Sequence, residues 1–407
     1  MSKNTIKINL NKIVDVVAGQ SPKSIYYSSN EGVPFLQGNR TFGGLYPTID
    51  TYTKKVTKLA RKGDLLISVR APVGDLNFAH CDLCIGRGLA GIRAKNGDNN
   101  FVYYALKFNL KKLLKKGTGT TFDSINKDTL EDLEIIIPET EVDRFKISKT
   151  LSNIDAKIEL NNQINAELEK MAKTIYDYWF VQFDFPDANG KPYKSSGGKM
   201  VWSDELKREI PEGWEVKNLF SSQYSKLVPT GVAYFEGEKI YLSTSEVENS
   251  QIINHSIKTN YLNRKSRANM QPKSKTIWFA RMKDTKKIIL IDDYCDDLIE
   301  NYIFSTGFAG IELKNNSLYF LWNYINSKDF EDIKNRYSTG TTQKSITNEG
   351  IEKIKILIPS QDLLNIFDSK ASNVYQKIYV NNKQNQTLAE LRDWLLPMLM
   401  NGQVKVE

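Results

Sequence analysis

The chain carries an internal duplication. Residues 118–125 read Thr-Gly-Thr-Thr-Phe-Asp-Ser-Ile, and 221 positions later residues 339–346 read Thr-Gly-Thr-Thr-Gln-Lys-Ser-Ile. Each copy continues into an isoleucine-rich run that ends in proline, at Pro138 and at Pro359. Because the units of solenoid proteins span only about 20–50 residues, this period is too long for a solenoid. The duplication therefore predicts two related domains.

The segments that follow the two prolines are duplicated as well. Residues 154–168 match residues 374–388 at an offset of 220, and both contain a Lys-Ile-x-x-Asn-Asn sequence. Their apolar and amide positions recur in steps of three and four, which is typical of helices that pair along one seam. The predicted pairing residues are Leu151, Ile154, Ile158, Asn161, Asn165 and Leu168 in the first helix, and Val374, Ile378, Asn381, Asn385 and Leu388 in the second.

The asparagine-rich middle of each helix predicts how the two helices pair. Buried amides at seam positions lower stability but fix register and orientation. Since the two halves repeat, we expect an antiparallel coiled coil with a pseudo-twofold axis through the asparagine layers. Helix ends near Phe180 and Met400 give rods of roughly 60 Å. The pattern does not distinguish helices that hold the domains together from helices that space them or dock partners.

The segments between the helices predict mixed α/β domains of the α+β class. Short β-rich runs at 64–70, 89–93, 276–281 and 308–312 occur in the same order in both copies, and residues 101–114 and 318–333 are predicted helices. We expect four parts: a first domain (1–138), a first helix (139–183), a second domain (184–359) that opens with a linker-like run at 184–200, and a second helix with a C-terminal tail (360–407).

Charge and composition indicate the class of partner and the compartment. The 407 residues include 56 Lys and Arg against 48 Asp and Glu, and the net charge of +8 favours a polyanionic partner. A basic surface that serves only solubility is the alternative. With no apolar run near membrane-spanning length, no apolar signal-peptide core and only three cysteines, a cytoplasmic protein without a membrane partner is expected.

The two Gly-Thr loops are candidate phosphate-binding sites. Backbone N–H groups, hydroxyls and nearby cations contact phosphate oxygens, which positions a nucleic acid without reading its sequence. The alternative is a tight turn whose hydroxyls cap the next segment. The candidates are Lys115, Lys116, Thr118, Gly119, Thr120 and Thr121 in the first copy, and Thr339, Gly340, Thr341, Thr342, Gln343 and Lys344 in the second.

Base reading requires forked or amide side chains that reach the edges of base pairs. Any one arginine can instead be an ordinary surface charge or a member of a salt bridge. The candidates in the first domain are Gln37, Asn39, Arg40, Arg70 and Arg87, and those in the second are Arg264, Arg267, Arg281 and Gln343.

Catalytic and metal-binding patterns are weak in this sequence. Cys81 and Cys84 beside His80 have the spacing of a zinc knuckle, but no second Cys/His pair follows, so two small apolar core residues are the alternative. Only two histidines are present, and phosphate-loop and dinucleotide-binding motifs are absent. The acidic pairs at 292–293 and 296–297 suit a solvated loop better than a cation site. The sequence predicts neither a catalytic residue nor a metal site.

Taken together, these motifs resemble the DNA specificity subunit of type I restriction-modification systems, and the resemblance covers essentially the whole chain. It rests on residues 63–74 (Gly-Asp-Leu-Leu-Ile-Ser-Val-Arg-Ala-Pro-Val-Gly), the two Gly-Thr loops, residues 210–216 (Ile-Pro-Glu-Gly-Trp-Glu-Val) and the Asn-Asn helices. The second domain departs from the pattern, since the Gly-Asp pair becomes Ser274-Lys275 and no Ala-Pro-Val-Gly follows Arg281.

The resemblance implies a non-catalytic subunit that recognises double-stranded DNA. Each globular half would be a target recognition domain for one half of a split sequence. The helices would set the gap between the half-sites and help to mount two methyltransferase subunits, and restriction and translocase subunits would join through the complex. S-adenosylmethionine, magnesium and ATP are then expected on the partner subunits, with no cofactor on this chain.

Two other classes of function stay open from the residues alone. One is a self-contained DNA methyltransferase or nuclease whose site is not recognised, which would modify or cleave DNA without partners. The other is a protein-interaction scaffold that does not touch DNA. Salt-dependent DNA binding would distinguish the DNA-binding functions from the scaffold, because phosphate contacts weaken steeply as the salt concentration rises.

Overall fold

The structure, a computed structural model, describes residues 5–116, 124–220, 225–314, 316–341 and 343–406, with the backbone alone for residues 111–116. It divides into two compact units. The first unit comprises Met1–Asn161 with Lys383–Glu407, and the second comprises Asn162–Asn382. Each unit therefore contains part of both long helices.

The first unit is built from short strands, short 3-10 turns and three α-helical segments before the chain enters the second unit. Its strands are β1 (Thr5–Asn9), β2 (Val14–Ala18), β3 (Tyr27–Ser28), β4 (Val33–Leu36), β5 (Tyr52–Thr53), β6 (Leu59–Ala60), β7 (Leu65–Ser68), β8 (Leu76–Phe78), β9 (Leu83–Ile85), β10 (Leu89–Ala94) and β11 (Glu134–Pro138). Its helices are α1 (Asn99–Lys116), α2 (Lys127–Glu131) and the first part of the long α3 (Glu141–Tyr176).

Three sheets organise these strands. One has the order β2-β10-β7-β8, a second has the order β3-β5-β4-β9-β6, and β1 pairs with β11. Most neighbours are antiparallel, whereas β4 and β9 run parallel. The first sheet packs its apolar side chains against α1, and Leu65, Ile67, Ile92 and Leu106 are fully buried there.

The second unit contains the remaining elements. Its strands are β12 (Met200–Ser203), β13 (Arg208–Pro211), β14 (Glu215–Asn218), β15 (Ser225–Leu227), β16 (Lys239–Leu242), β17 (Val247–Glu248), β18 (Gln251–Ile252), β19 (Lys258–Thr259), β20 (Ala268–Met270), β21 (Thr276–Ala280), β22 (Ile288–Ile291), β23 (Tyr302–Ser305), β24 (Phe308–Leu313), β25 (Ser338–Thr339), β26 (Ser345–Ile346) and β27 (Lys355–Ile358). Its helices are α4 (Asp296–Asn301), α5 (Leu318–Ile325), α6 (Lys328–Arg336), α7 (Asn348–Glu352) and α8 (Gln361–Met400), which returns the chain to the first unit.

The strand order of the first unit is repeated in the second. The sheet β15-β24-β21-β22 matches β2-β10-β7-β8, and the pair β14-β27 matches β1-β11. The sheet β19-β16-β23-β20 contains a parallel pair, β16 with β23, that matches β4 with β9. The sequence duplication is therefore a duplication of topology.

The long helices belong to the hydrophobic cores of the units. Leu151 of α3 and Leu399 of α8 are buried in the core of the first unit. In the second unit, Tyr176 of α3 and Phe367 of α8 lie in one aromatic cluster with ring centroids 6.2 Å apart. The apolar ends of each helix thus anchor it into a globular core, which the seam pattern alone did not reveal.

Two local predictions were wrong. Residues 318–333 form two helices instead of one, because Ser327 interrupts the run and its hydroxyl accepts a hydrogen bond from Phe330 N at 3.2 Å, capping α6. The linker-like run at 184–200 is a folded turn. Asp184 accepts hydrogen bonds from Ser195 N and Oγ at 2.7 and 2.6 Å, and Tyr193 stacks on Phe185 at 4.6 Å.

Candidate nucleic-acid interface

Four polar side chains of the first unit lie at one edge of the sheet that contains β4 and β9. Gln37 follows β4 directly, and Arg87 lies two residues beyond β9. Because the two strands are parallel, both residues lie at the carboxyl ends, where Gly88 N donates to Gln37 O at 3.1 Å. Lys58 joins them, since its carbonyl accepts from Ile85 N at 2.9 Å. With Arg70, described next, we call these four residues the first edge.

Arg70 brings the end of the Gly-Thr loop to this edge. Val69 N donates to Gly88 O at 2.9 Å, which places Arg70 beside Arg87 in the backbone. Arg70 also forms an antiparallel bridge with Ser124, the first described residue after the loop. The Arg70 and Arg87 side chains are both exposed. The cations Arg70 and Arg87 and the residue that follows the loop, Ser124, therefore lie together at this edge.

Gln37, Asn39 and Arg40 already have protein partners. Gln37 accepts from Ser21 Oγ at 2.9 Å, and Asn39 donates to Asp75 at 2.6 Å. Arg40 pairs with Asp50 at 2.6 Å, and this guanidinium holds the pKa of the Asp50 carboxyl below its usual value. Since the Arg40 side chain is largely exposed, the pair contributes little to stability and leaves the guanidinium accessible.

The same edge exists in the second unit. Ser243 follows β16 directly, as Gln37 follows β4, and Thr306 precedes Gly307 beyond the parallel neighbour β23, as Arg87 precedes Gly88 beyond β9. Thr306 N donates to Arg267 O at 2.9 Å, so Arg267 lies beside the end of β23, on the side where Lys58 lies beside the end of β9 in the first unit. We call Ser243, Arg267, Met282 and Thr306 the second edge.

The strand register changes the role that the sequence suggested for Arg281. In the first unit Val69 N donates to Gly88 O and Val69 O accepts from Ile125 N, each at 2.9 Å. In the second unit Arg281 makes the equivalent bonds, to Gly307 O and from Ile346 N, also at 2.9 Å. Arg281 therefore corresponds to Val69. Met282, which bridges Ser345, corresponds to Arg70.

The inward position of Arg281 gives its guanidinium structural partners. It donates to Phe308 O and Ile346 O at 3.3 Å and to Asn348 Oδ1 at 2.8 Å. Burial lowers the pKa of Arg281. A shift of one residue moves a strand side chain to the opposite face of the sheet, which is why this arginine is turned away from the second edge.

The second Gly-Thr loop is the turn of a short hairpin. β25 pairs with β26, and the exposed residues Thr339, Gly340, Thr341, Gln343 and Lys344 lie at or next to the turn. Gly340 has φ +127°, and a Cβ there would lie 2.8 Å from Gln343 O, so only glycine suits this position. Lys344 O accepts from Lys283 N at 2.9 Å, which ties the hairpin to the segment that follows Met282.

Arg264 and Arg267 lie on the loop that leads into β20. Arg267 is exposed, whereas the Arg264 guanidinium stacks 4.2 Å from the centre of the Tyr261 ring and donates to Tyr261 O at 2.6 Å. Residues 117–123, including Thr118, Gly119, Thr120 and Thr121, lie outside the described residues, as do Thr342 and the side chains of Lys115 and Lys116. Their predicted phosphate contacts stay a prediction.

The asparagine layers pair the long helices within each unit. In the first unit Asn161 Nδ2 donates to Asn385 Oδ1 at 2.8 Å and to Gln384 Oε1 at 2.9 Å. In the second, Asn381 Nδ2 donates to Asn165 Oδ1 at 2.8 Å, and Asn165 Nδ2 donates to Asn382 Oδ1 at 2.8 Å. The pairing runs antiparallel in both units. Leu151 and Ile378 are buried on the seam, whereas Ile154, Ile158, Leu168, Val374 and Leu388 are half-buried.

One seam residue carries a charge that the heptad pattern missed. Asp155 is buried and accepts from Arg392 Nη1 at 2.6 Å and from the Tyr104 hydroxyl at 2.5 Å. Burial first, and the Asp155 charge second, raise the pKa of Tyr104, so the phenol stays protonated and donates. The heptad pattern placed Ile154, and not Asp155, on the seam. The sequence hint of an ion pair was Arg392, which occupies a seam position of the second helix among apolar residues.

The described residues offer little for metal chemistry. No group of three or more His, Cys, Asp or Glu side chains suited to a metal ion occurs among them. Cys84 and Cys295 are buried, and burial raises the pKa of the Cys295 thiol to about 12. Across the same residues, no helix has the length and apolar character to cross a membrane.

Comparison with known proteins identifies the family. The model of the type I restriction modification DNA specificity domain matches residues 3–170 and again residues 211–388, which together make up most of the chain. The chain belongs to this family. Its role is DNA sequence specificity within a restriction-modification complex, and the family is the recognition component as opposed to the methylase or the nuclease.

Individual relatives agree with the family match. A protein named as the MjaX type I restriction enzyme specificity subunit of Methanocaldococcus jannaschii is 43% identical over 173 residues, which are 42% of this chain and 40% of that one. The MjaIX specificity subunit of the same organism is 29% identical over 354 residues, 85% of this chain and 78% of that one. A crystal structure of the type I system S subunit from M. genitalium has the same fold, with a TM-score of 0.60 and 17% identity over 98% of this chain and 97% of that chain.

Sequence reasoning missed some residues at the two edges. Lys58 has no motif around it, and its position becomes apparent only when β6 pairs with β9. Ser243 and Met282 are equally inconspicuous in the sequence. The available signal was the duplication itself, because each feature of one copy could be sought at the equivalent strand end of the other.

Proposed function

We propose that each unit reads one half of a split DNA sequence with the edge described above. Support comes from one observation: the same edge is built twice from the same strand pairs, yet with different side chains. Arg70 is replaced by Met282, and Arg87, which precedes Gly88, is replaced by Thr306, which precedes Gly307. Two edges that are built from the same strand pairs but present different hydrogen-bond donors and apolar groups are suited to different base pairs.

The character of the edges also suits a division between phosphate contacts and base contacts. Arg70, Arg87 and Lys58 provide exposed cations in the first unit, and Arg267 and Lys344 do so in the second. Phosphate contacts position the duplex, while Gln37, Asn39 and the forked arginines can reach base edges. The overall net charge of +8 favours approach to DNA.

We further propose that the paired helices fix the gap between the half-sites and present docking surfaces for two methyltransferase subunits, with restriction and translocase subunits joining through the complex. In this proposal S-adenosylmethionine, magnesium and ATP act on those partners. The inter-helix amide contacts support it, because such contacts define a single register for the helices.

The test is reconstitution of the full chain with its methyltransferase subunits, followed by mapping of the adenines or cytosines that become methylated. The proposal expects one split sequence with a gap of constant length, and no methylation by the chain alone. Methylation by the chain alone, or sites that consist of one uninterrupted half, would contradict it. Binding that is insensitive to salt would contradict the phosphate contacts.

A further inference from the structure

Equivalent turns of equal length carry one residue of each edge. The first turn joins β7 to β8, and Ser68 N donates to Asp75 O across it at 2.9 Å. The second turn joins β21 to β22, and Ala280 N donates to Lys287 O across it at 2.8 Å. Since Met282 stands on the second turn, the contacts that fix this turn also fix a member of the second edge.

The first turn is fixed by a side chain of its own strand. Ser68 Oγ donates to Pro72 O at 2.7 Å and accepts from Asp75 N at 2.9 Å. The cross-turn hydrogen bonds make Ala280 the equivalent of Ser68, and alanine has no hydroxyl. The second turn is therefore held in another way.

A buried lysine of α6 holds the two ends of the second turn together. The Lys334 side chain is 1% exposed, and its ammonium donates to Thr285 O at 2.7 Å and to Ala280 O at 3.4 Å. It also pairs with Glu331 at 2.9 Å. The ammonium thus has an acceptor for each of its three N–H groups, and two of these acceptors are carbonyls at opposite ends of the turn.

The next residue of α6 holds the tip of the same turn. Asn335 Oδ1 accepts from Asp284 N, and Asn335 Nδ2 donates to Asp284 Oδ1, both at 2.9 Å. Asp284 has φ +54°, a left-handed conformation that residues other than glycine keep where surrounding contacts impose it. We call Lys334 and Asn335 the clasp of the second turn.

The clasped turn also carries the second Gly-Thr hairpin. Lys283 N donates to Lys344 O at 2.9 Å, and Met282 forms a bridge to β26. The other strand of the hairpin, β25, follows α6 closely, and Ser338 Oγ donates to Lys334 O at 2.8 Å. Lys334 is therefore connected to both strands of the hairpin, to one through the turn and to the other through the chain.

A buried ammonium lowers stability in a way that an apolar side chain would not. Burial lowers the pKa of Lys334 even though Glu331 acts in the opposite direction, which reflects the cost of desolvating the charge. Apolar side chains in place of a buried ion pair often give equal or higher stability, whereas buried polar groups can specify a single geometry. In the sequence of the first copy, Leu113 stands 221 residues before Lys334, so the lysine is a feature of the second copy.

We propose that Lys334 and Asn335 are positioning residues for DNA recognition, which hold Met282 and the second Gly-Thr hairpin in the arrangement that reads one half-site. Neither residue contacts DNA itself. The inference rests on the proposed function and adds to it the residues that set the selectivity of one unit. Because the clasp contributes no exposed cation, it should govern how strictly base pairs are discriminated and leave the contacts to phosphates unchanged.

The test uses the full chain reconstituted with its methyltransferase subunits, and compares methylation rates on the split sequence and on each of its single-base variants. Lys334→Met removes the three donors and keeps an apolar stem, and Asn335→Ala removes both bonds to Asp284. Asp284→Asn keeps an acceptor for Asn335 and a residue type that adopts positive φ. Lys328→Met is the matched control, since it removes a lysine charge from an exposed position of the same helix.

Lys334→Met and Asn335→Ala are expected to relax one half-site alone, the one that changes when the second domain is exchanged. Discrimination against a mismatched base pair in that half-site should fall about tenfold, while the other half-site and the length of the gap stay the same. Asp284→Asn and Lys328→Met should keep the wild-type discrimination at both half-sites.

Thermal unfolding of the same variants separates a positioning role from a purely structural one. If the clasp variants unfold at lower temperature but discriminate base pairs as the wild type does, the positioning role is overturned while the recognition function stands. Equal relaxation of both half-sites, or the same relaxation in Lys328→Met, overturns it as well. If Lys334→Met does not fold, Asn335→Ala alone decides between these outcomes. If the wild-type complex methylates no split sequence, the proposed function fails and the inference fails with it.

Discussion

Arg392 Nη1 lies 2.6 Å from Asp155 Oδ1, and this contact joins the two long helices inside the first unit. Both side chains are largely buried, at 16% and 6% exposed. Tyr104 of α1 donates to the other carboxylate oxygen, so one carboxylate connects three helices. Such a group is costly to remove singly, because its partners would keep their burial and lose their bonds.

Replacement of Asp155 by alanine should therefore destabilise the chain strongly. We expect a loss of about 3–5 kcal/mol in the free energy of unfolding, measured by urea titration of the transition that contains the first unit. Lys173→Ala is the control, since its pair with Asp177 is exposed and removal should cost about 0–1 kcal/mol. Equal effects of the two substitutions would show that the buried carboxylate is not a structural centre.

The two isoleucines of the seam should respond differently to a buried charge. Ile378 is 7% exposed in the core of the second unit, whereas Ile158 is half-buried in the first. Ile378→Asp should cost about 3–5 kcal/mol, and Ile158→Asp about 1–2 kcal/mol. Thermal unfolding monitored by circular dichroism measures both. A larger loss for Ile158→Asp would mean that the seam is packed differently.

Substitution should show that Arg281 has a structural role and that Arg267 contacts DNA. Arg281→Leu leaves three acceptors without their donor and should lower the unfolding free energy by about 1–3 kcal/mol. Arg267→Ala should change stability by less than about 0.5 kcal/mol. It should, however, weaken DNA binding and reduce the slope of log affinity against log salt by about one. The prediction fails if Arg281→Leu is as stable as the wild type.

Asp368 should make the second unit more stable in mild acid. Its carboxylate accepts from Leu318 N at 2.7 Å and from Tyr319 and Phe320 N at 3.2 and 3.3 Å. Burial dominates these bonds and raises the pKa of Asp368 to about 6, above the value near 3.8 of the unfolded chain. The native state therefore binds a proton between about pH 4 and pH 6, where the unfolded state has released it.

It follows that this group adds stability as the pH falls from about 6 to about 4, and that the contribution is lost as the pH rises through 6. The measurement is the difference in unfolding free energy between the wild type and Asp368→Asn across this range. The wild type should gain about 2 kcal/mol relative to the variant between pH 6.5 and pH 4.5. A constant difference, or one of opposite sign, would show that the carboxyl titrates normally.

Exchange of one recognition domain should change one half-site alone. Residues 201–358 would be replaced by the matching domain of a relative, and the sites methylated by the reconstituted complex would be sequenced. Since each unit has its own sheets and its own edge, we expect one half of the split sequence to change while the other half stays the same. A change in both halves would show that the units do not read DNA independently.

The repeated and periodic parts of the chain were predictable because they depend on local chemistry. The runs at 64–70, 89–93, 276–281 and 308–312 form β7, β10, β21 and β24, as predicted from β-branched residues between turns. The asparagine layers were likewise visible in the heptad pattern. The single helix expected over 318–333 failed because a serine cap is a weak signal inside an apolar run.

The candidate site was less predictable because its members come from separate strand ends. Gln37, Lys58 and Arg87 are adjacent only because β4, β6 and β9 pair, and these pairings are long-range. Comparison of the two copies of the sequence aligned Arg281 with Arg70, whereas the backbone hydrogen bonds show that Arg281 is equivalent to Val69. A loop that differs in length by one residue between the copies is enough to cause this error, since strand side chains alternate in direction.

The sequence by itself determined that this protein is a duplicated α+β chain with two pairing helices and that it belongs to a family of DNA specificity subunits. Composition, repeat offset and periodicity express these properties directly, because each depends on residues close in the chain. The tertiary structure alone decided which arginine faces outward, that Asp155 is buried against Arg392, and which loops share an edge. Those outcomes depend on strand register and helix packing between residues far apart in the chain, which local sequence does not encode.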